Sequence, residues 1–231
     1  MSIGARALEL DPCYGLAHSY LALARLALHG YAFSPADVLA DAAALSERGV
    51  TLAPEEARCH RILGYVRLCR REYDPAQHEF ERSLELNPYD ADTVAQMGYL
   101  LALRGRPAEA LDWMDRARRL NPIHPEWYHY DRAIALYALH DYDGAARELE
   151  RVPRLGPWGT VRLAACRAQL GDLHQAGRLI DQAMAASPGF SPLRYARNGI
   201  AFEHPEDLEH VITGLERAFK AATTGVPTSA P

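Results

Sequence analysis

Lysine is almost absent from this sequence of 231 residues, in which Lys220 is the only lysine against 24 arginines. A phosphate-binding P-loop needs a lysine at the end of a glycine-rich turn, and Lys220 has no such context. A Schiff-base lysine would also have to be Lys220, close to the end of the chain. The sequence therefore lacks the ATPase or GTPase signature. Its arginine and alanine bias is typical of a GC-rich genome and predicts a bacterial source.

An excess of positive charge and long apolar runs are lacking as well. The formal net charge is −5, whereas nucleic-acid-binding proteins usually show a basic excess or a basic stripe. The sequence has no run of about 18 uncharged apolar residues, and the stretch Met1–Pro12 has no apolar core of a secretory signal. We therefore expect neither a nucleic-acid partner nor a membrane partner.

Cysteine is sparse, and its spacing argues against two kinds of site. Cys13, Cys59, Cys69 and Cys166 form no C-x-x-C pair, as a structural zinc site would require. Their density is also too low for a disulfide framework. We expect four reduced thiols that act as small apolar residues in helices, and hence a cytoplasmic protein.

A pattern of prolines and small residues recurs along the chain. The prolines are spaced by 34, 34, 35 and 31 residues, at Pro54, Pro88, Pro122, Pro157 and Pro188. An alanine lies 12 residues before each of the last four: Ala76, Ala110, Ala145 and Ala176. A small residue lies 12 residues earlier again: Gly64, Gly98, Ala133 and Ala164. Three coupled positions that recur together indicate a repeated structural unit.

Two packed helices in each repeat explain this pattern. The first small residue lets the first helix, helix A, approach its partner closely, and the alanine does the same on the second helix, helix B. The proline ends helix B because the residue before a proline is pushed out of the α region. Left-handed residues are expected where helices A end, at Gly30, Gly105 and Gly171. N-caps followed by first-turn prolines are expected at Ser34-Pro35 and Asp74-Pro75.

A helix-turn-helix of 34 residues with these small and proline positions resembles the tetratricopeptide repeat, or TPR. The resemblance covers about residues 1–188. It implies an all-α fold, a right-handed superhelical solenoid of about five helix-turn-helix repeats with a C-terminal helical cap. The first repeat is eight residues too long, with the extra length around Gly30–Phe33 and the start of its helix B.

These repeats are expected to form a single domain over residues 1–222. We predict a partial repeat over 1–12, repeats over 15–54, 57–88, 91–122, 126–157 and 157–188, capping helices over 191–222 and a disordered tail over 223–231. Within the cap, one helix is expected over about 191–202 and another over about 205–222. The last helix carries one apolar stripe that would cover the final repeat.

The first 12 residues look like the end of a helix B without a helix A before it. Either the chain begins inside a longer array, or this segment is a short N-terminal cap. We expect a helix with an apolar side that no other helix covers, because a repeat cannot bury its apolar face alone. That side would run through Ile3, Ala7 or Leu8.

The C-terminal stretch carries a second resemblance. Phe202-x-x-Pro205-x-Asp207-Leu208-Glu209-His210, followed by Gly214-Leu215-x-x-Ala218, is similar to the end of the TPR tails of bacterial class III adenylate/guanylate cyclases and related regulators. Gly105-Arg106-Pro107-x-Glu109-Ala110 and His124-Pro125-x-Trp127-Tyr128 look like parts of the same tails. The resemblance implies a regulatory role in signalling, without the catalytic domain of such an enzyme in this chain.

Sequence signatures of catalysis are missing. The chain has no G-x-S-x-G, H-E-x-x-H or G-x-G-x-x-G phrase and no EF-hand loop. The densest histidine group, His124 with His129, does not place two rings on one helical face. We therefore expect no catalytic residue, no cofactor and no metal, and a protein that is not an enzyme.

The resemblance to TPR arrays implies a functional surface on the concave face, which helices A line and which binds an extended peptide or a partner helix. Arginine and aromatic side chains dominate binding hot spots. The candidates on helices A are Arg58, Arg61, Tyr65, Tyr99, Trp127, Tyr130, Tyr137 and Trp158. Some of these would instead pack in the core, with the arginines paired to local acids such as Asp92.

Three classes of function stay open. The first is a non-catalytic scaffold that binds a protein or peptide partner of unknown identity on this face. The second is the regulatory tail of a nucleotide-cyclase-like signalling enzyme. The third is a sensor of a peptide or small ligand, which a closed apolar groove with a deep pocket would favour. The sequence indicates neither the partner nor the oligomeric state.

Overall fold

Helices form nearly all of the regular structure of this protein. The computed structural model describes residues 3–224, apart from the side chains of residues 3–5, 195, 198 and 224. Over these residues there are thirteen α-helices, a 3-10 helix at Tyr31–Phe33 and no strand, which confirms the predicted all-α class. The helices are α1 Ile3–Leu10, α2 Gly15–His29, α3 Ala36–Leu52, α4 Ala57–Cys69, α5 Tyr73–Leu86, α6 Ala91–Leu103, α7 Pro107–Leu120, α8 Trp127–Ala138, α9 Tyr142–Glu150, α10 Pro157–Gln169, α11 Leu173–Ala186, α12 Pro192–Gly199 and α13 Pro205–Thr224.

The described residues divide into two compact units. The first unit comprises the residues up to Leu100 together with Asp112–Pro122, and the second comprises Leu101–Leu111 together with the residues from Ile123 onward. In the first unit α2 packs on α3 and α4 packs on α5; in the second α8 packs on α9 and α10 packs on α11. Each pair is a helix A followed by its helix B, as the proline spacing predicts.

The small size of Gly64 sets how closely α4 approaches α5 in the first unit. A Cβ atom at this position would lie 2.9 Å from two carbons of the Phe80 ring and 3.1 Å from the carbonyl oxygen of Ala76. Both Phe80 and Ala76 are fully buried. The predicted roles of Gly64 and Ala76 in close helix packing are confirmed.

Small residues take the same places in the second unit. The four alanines of the repeat pattern are buried here: Ala133, Ala145, Ala164 and Ala176. The last helix approaches α11 in a similar way, because a Cβ atom on Gly177 would lie 3.0 Å from the backbone nitrogen of Ala222. Helix α13 therefore packs as tightly as the repeat helices pack on one another.

A buried His–Glu pair joins helix A to helix B in each unit. His60 Nδ1 lies 2.7 Å from Oε2 of Glu79 in the first unit, and His129 Nδ1 lies 2.6 Å from Oε2 of Glu148 in the second. Arg67 adds a cation to Glu79, with its Nη1 at 3.1 Å from Oε1. A buried carboxylate without such partners would be strongly unfavourable, so the pairs hold the two helices in one register.

Left-handed residues follow helices A, as predicted at three glycines. Gly30, Gly105 and Gly171 have φ values of 86°, 71° and 85°. Arg71 after α4 and His140 after α8 take the corresponding position, both with φ 62°. The left-handed conformation costs a non-glycine residue about 1–2 kcal/mol. Two repeats therefore keep a strained residue where the others have glycine.

Both predicted proline-associated N-caps are wrong. Pro35 itself occupies the N-cap position of α3, with no side-chain cap. Ser34 instead ends the preceding 3-10 turn, because its N–H donates to the carbonyl oxygen of Tyr31. Helix α5 begins at Tyr73, one residue earlier than expected, so Asp74 lies inside the first turn. There its carboxylate faces the positive end of the helix dipole.

The first of the two C-terminal helices ends earlier than predicted. Ser191 caps it as expected, by accepting the N–H of Arg194 at 3.4 Å, but α12 stops at Gly199 rather than near Phe202. Glycine is a poor helix former. Ile200 then takes an extended backbone conformation, with φ −88° and ψ 114°. Residues 200–202 are therefore non-helical.

The two ends of the chain are described in part. In α1, Ala7 and Leu8 are half-buried, while the side chain of Ile3 lies outside the described residues. Helix α13 continues to Thr224, two residues into the predicted tail, and residues 225–231 lie outside the description. Within residues 3–224, no helix combines the length and the apolar character needed to cross a bilayer.

Candidate functional site

The eight residues predicted from the helix-A positions divide evenly between the two units. The first unit holds Arg58, Arg61, Tyr65 and Tyr99. The second holds Trp127, Tyr130, Tyr137 and Trp158.

Arg58 lies exposed at the start of α4 and is already paired. Its guanidinium donates to Glu56 from Nε to Oε1 at 2.8 Å and from Nη2 to Oε2 at 3.0 Å, and it also bonds the hydroxyl of Tyr20 on α2. The hydrogen bond from Arg58 holds the pKa of Glu56 below its ordinary value. An arginine, a carboxylate and a half-exposed tyrosine therefore share one patch of surface.

Tyr65, further along α4, forms an aromatic pair with Tyr31. The two rings meet edge to face with centroids 5.8 Å apart, a favoured geometry for aromatic pairs. Tyr31 belongs to the extra residues of the first repeat, which form the 3-10 helix after α2. Its backbone is left-handed, with φ 58°, and its side chain stays 41% exposed. The insertion thus places a tyrosine over the helix-A face of this unit.

The other two candidates of the first unit are less accessible. Arg61 is 7% exposed, and its Nε lies 3.8 Å from Oδ2 of Asp90 and has no hydrogen-bond partner among the described residues. Its ion pair is with Asp90 rather than the expected Asp92. Tyr99 on α6 is half-buried. Arg61 is therefore a core residue and does not present its guanidinium to a partner.

In the second unit Tyr137 is buried by the last helix. It is 6% exposed, and its ring lies 4.9 Å from the ring of His210 on α13 and 5.1 Å from that of Tyr142. Gln169 donates to its hydroxyl at 3.3 Å. Burial raises the pKa of Tyr137. The ring is therefore part of the core beneath α13 and lies out of reach of an external partner.

The three remaining candidates lie at the starts of α8 and α10 and stay partly exposed. Trp127 packs edge to face on Tyr128 at 4.3 Å, and Trp158, 37% exposed, does the same on Phe190 at 5.1 Å. Tyr130 is half-buried, and this burial raises the pKa of its hydroxyl. These rings are anchored at one edge and open to solvent at another.

A small pocket of about 30 Å³ lies beside Tyr137. Its walls come from α8, α9, α10, α13 and the extended residues 200–202: Ala133, Ile134, Tyr137, Leu149, Arg162, Ala165, Cys166, Ile200, Phe202 and Val211. Arg162 is the charged member of this largely apolar wall. Burial raises the pKa of the neighbouring Asp131 to about 8, and the positive charge of Arg162 opposes the shift.

Residues 200–203 of the chain itself lie along this pocket, and we call them the strap. Ile200, Ala201 and Phe202 are buried, at 2%, 3% and 6% exposure. The N–H of Glu203 donates to the carbonyl oxygen of Leu103, at the end of α6, at 2.8 Å. The Glu203 carboxylate accepts two bonds from Arg104, at 2.8 and 3.4 Å. The strap thus meets the unit as an extended peptide would.

Sequence reasoning missed the residues that add most to these surfaces. Tyr20 and Tyr31 were absent from the candidates, although the extra length around Gly30–Phe33 was a visible signal for Tyr31. The strap was assigned to a helix, because the phrase Ser191-Pro192 starts one and only Gly199 signals where it ends. Among the described residues, histidine, cysteine and carboxylate side chains form no group of three that could hold a metal.

The comparisons with known proteins bear on the fold. No protein-family model matches the sequence. Anaphase-promoting complex subunit 3 of Schizosaccharomyces pombe is 26% identical over 152 residues, which is 66% of this chain and 22% of that protein. The chain therefore spans about a fifth of the length of this relative.

Two solved structures share the arrangement of helices. The APC/C hetero-tetramer Cut9–Hcn1 matches 97% of this chain and 43% of its own, with a TM-score of 0.67 at 12% identity. A thermophilic TPR protein of Thermus thermophilus matches 87% of this chain and 99% of its own, with a TM-score of 0.63 at 18% identity. The chain has the tetratricopeptide-repeat fold. The TPR assignment made from the proline spacing is thus confirmed, while the resemblance to cyclase tails stays a prediction.

Proposed function

We propose that this TPR-fold chain is a non-catalytic scaffold that binds a protein partner through the helix-A face of its first unit. The residues concerned are Tyr20, Tyr31, Arg58 and Tyr65. The observation that carries the proposal is the edge-to-face pair of Tyr31 and Tyr65, in which one ring is supplied by an insertion and stays 41% exposed.

The backbone of Tyr31 supports this proposal. A left-handed conformation costs a residue such as tyrosine about 1–2 kcal/mol, and such strain persists where the surrounding structure enforces it, often at binding sites. Here the strained residue presents an aromatic ring to Tyr65, which lies on the same helix, α4, as Arg58. Tyrosine and arginine are the residue types that dominate binding hot spots.

The same residues indicate the chemistry of the partner. Three polar groups, the phenol hydroxyls of Tyr20 and Tyr31 and the guanidinium of Arg58, favour a partner segment that offers hydrogen-bond acceptors, while the rings favour an apolar or aromatic side chain. Because Arg58 is already bonded to Glu56, a partner carboxylate would have to compete with that pair. We therefore expect an extended segment that carries an aromatic and an acidic residue.

The experiment begins with peptides selected from a random library on the purified full chain. Affinities of the selected peptides are then measured by fluorescence anisotropy for the wild type and for Tyr31→Ala and Tyr20→Ala. A hot-spot tyrosine should lose about 1–2 kcal/mol, or roughly 5–30-fold in Kd. The matched control is Tyr89→Ala, a tyrosine of the same unit that is 75% exposed in a loop. Equal losses in all three variants, or none, would contradict the proposal.

The pocket of the second unit favours a second candidate function, a sensor of a small ligand or peptide. It is largely apolar, with Arg162 as its charged residue, so a ligand with an apolar body and an acidic group would suit it. Isothermal titration with short-chain carboxylates such as acetate and propionate tests this. Binding to the wild type that is lost in Ala133→Phe, which would fill the pocket, supports it; no binding contradicts it.

Of the predicted site residues, Arg58 and Tyr65 belong to this proposal. Tyr99, Trp127, Tyr130 and Trp158 are partly exposed and stay candidates for partner contact elsewhere on the chain. Arg61 and Tyr137 are buried and do not. The role as a cyclase-like regulatory tail remains a hypothesis that the described helices do not address.

A further inference from the structure

An extended peptide already lies in the second unit, and it belongs to this chain. The strap, residues 200–203, connects two helices but is itself non-helical. Ile200 and Phe202 are two residues apart, so in an extended chain their side chains point the same way. Both line the pocket beside Tyr137. This is how a bound peptide inserts alternate side chains into a groove.

The strap is held at its acidic end by a paired contact. Glu203 accepts two hydrogen bonds from Arg104, and its own N–H satisfies the carbonyl oxygen of Leu103 at the end of α6. Carbonyl groups in the last turn of a helix lack helical partners and accept such bonds. An arginine fork on a carboxylate is a strong and geometrically specific contact. The groove thus binds both the backbone and the negative charge of Glu203.

The strap is closely packed at its apolar residues and more accessible at its acidic end. A cavity of only about 30 Å³ remains beside Ile200 and Phe202. The Arg104–Glu203 pair is partly exposed to solvent, with side chains 19% and 29% accessible. Next to it, Gly105 adopts φ 71°, and a Cβ atom there would lie 2.8 Å from the ring of His204. At the end of the strap, the backbone of Gly105 therefore lies close to the ring of His204, one residue before α13.

We propose that the strap is an intrachain ligand, and that a partner segment of the same chemistry displaces it from the groove of the second unit. That chemistry is a branched apolar residue, a small residue, an aromatic residue and an acidic residue in succession. In the closed state the strap blocks the pocket; in the open state Arg104 and the Leu103 carbonyl oxygen bind the partner. The inference does not depend on the tyrosine face of the first unit.

The test supplies the strap as a separate peptide to the full chain. A fluorescent peptide of residues 198–206, with blocked ends, is titrated against the wild type and against Glu203→Arg, which repels Arg104 and weakens the internal strap. We expect the peptide to bind Glu203→Arg at least about tenfold more tightly than the wild type. The matched control is Glu209→Arg, the same charge change at an exposed position of α13, which should bind like the wild type.

A charge swap checks the proposed contact. A peptide in which Glu203 is replaced by arginine should not bind the Glu203→Arg chain, and it should bind an Arg104→Glu chain, whose own Glu203 is repelled by the new carboxylate while the arginine of the peptide pairs with it. If Glu203→Arg is folded, as judged by circular dichroism, yet binds the native peptide no better than Glu209→Arg, the proposal is overturned.

Hydrogen exchange of the wild type keeps the proposal testable if the variants do not fold. The amide of Glu203, bonded to Leu103, should exchange at least about tenfold faster than the amides in the middle of α10, because a displaceable strap opens without unfolding the unit. Equal protection of the Glu203 amide and the α10 amides would show that the strap opens only on global unfolding, and would overturn the proposal.

Discussion

The hydroxyl of Tyr142 lies 2.9 Å from Nε2 of His210, which is 68 residues further along the chain. His140 Nδ1 lies 2.7 Å from the same hydroxyl, and the two histidine rings stack with centroids 4.4 Å apart. A phenol has one hydrogen to donate, so one imidazole accepts it while the other donates. This relay fastens α13 to the start of α9 within the second unit.

The histidine stack predicts that acidification destabilises the second unit. Burial, and then the nearby His140, hold the pKa of His210 below its ordinary value. His210 therefore takes up a proton more readily in the unfolded chain than in the folded chain. The free energy of unfolding is unaffected by His210 above about pH 6.5, the ordinary histidine pKa, and decreases as the pH falls below that value. The titratable groups around the His210 ring are Tyr137, His140, Tyr142 and Asp207.

Urea unfolding at about pH 7.5 and about pH 5.5 measures this effect. The wild type should lose about 1 kcal/mol more on acidification than His210→Gln, the repulsion expected of two unit charges about 4 Å apart in a largely aqueous environment. The control is His174→Gln, an exposed histidine on α11, which should match the wild type. The same pH dependence in His210→Gln and the wild type would contradict the prediction.

Removing the carboxylate of Glu79 should unfold much of the first unit. Glu79→Ala leaves His60 and Arg67 without their buried partner, and breaking a buried ion pair on one side costs about 3–5 kcal/mol. Glu85→Ala is the control, because Glu85 pairs with Arg82 at an exposed site and such pairs contribute at most about 1 kcal/mol. Equal denaturant midpoints for the two variants would show that the buried pair adds no stability.

Glycine should be tolerated better at Arg71 than at Arg70. Arg71 has φ 62° whereas its neighbour Arg70 has φ −87°, and both are exposed. Arg71→Gly relieves left-handed strain and should raise the free energy of unfolding by up to about 1 kcal/mol. Arg70→Gly gains flexibility only in the unfolded state and should lower it by about 0.5–1 kcal/mol. Thermal melts compare the two, and the reverse order would refute this account of the strain.

Thiol labelling should separate Cys13 from the other cysteines. Cys59, Cys69 and Cys166 are buried in helices, and burial raises the pKa of both Cys69 and Cys166 to about 12. Cys13 is exposed in the turn between α1 and α2, not in a helix as expected. Since thiolates react and thiols do not, iodoacetamide should add one group to the native chain and four after denaturation. Cys13→Ser should take up none while native.

The helix pairs follow from the sequence because their cause is local. Gly64, Ala76 and the proline at 88 act within one repeat, on helices that are neighbours along the chain, so a spacing of 34 residues is enough to place them. The same reasoning locates the left-handed Gly105 and Gly171. It fails at Arg71 and His140, where packing enforces a conformation that the residue type does not favour.

The candidate surfaces follow less directly, because the covering side chains come from far along the chain. The repeat places Tyr137 on helix A, but His210, 73 positions later, buries it. Ile200 favours an extended backbone as a β-branched residue, but the pocket that buries it is formed mostly by helices earlier in the chain. Tyr31 was hidden in an insertion to which the repeat pattern assigns no role. Period and composition determine a helical face; long-range contacts determine what covers it.

During synthesis, Arg104 is made before the strap that it binds. Arg104 and Glu203 are 99 residues apart, whereas the helix pairs join near neighbours along the chain and form early. Contacts of such long separation form slowly, and at about 5–20 residues per second the strap leaves the ribosome several seconds after Arg104. Near the end of that interval α8, α9 and α10 are already made, whereas the strap and α13, which complete the pocket, are not. A partner present during translation therefore meets an open site without having to displace anything.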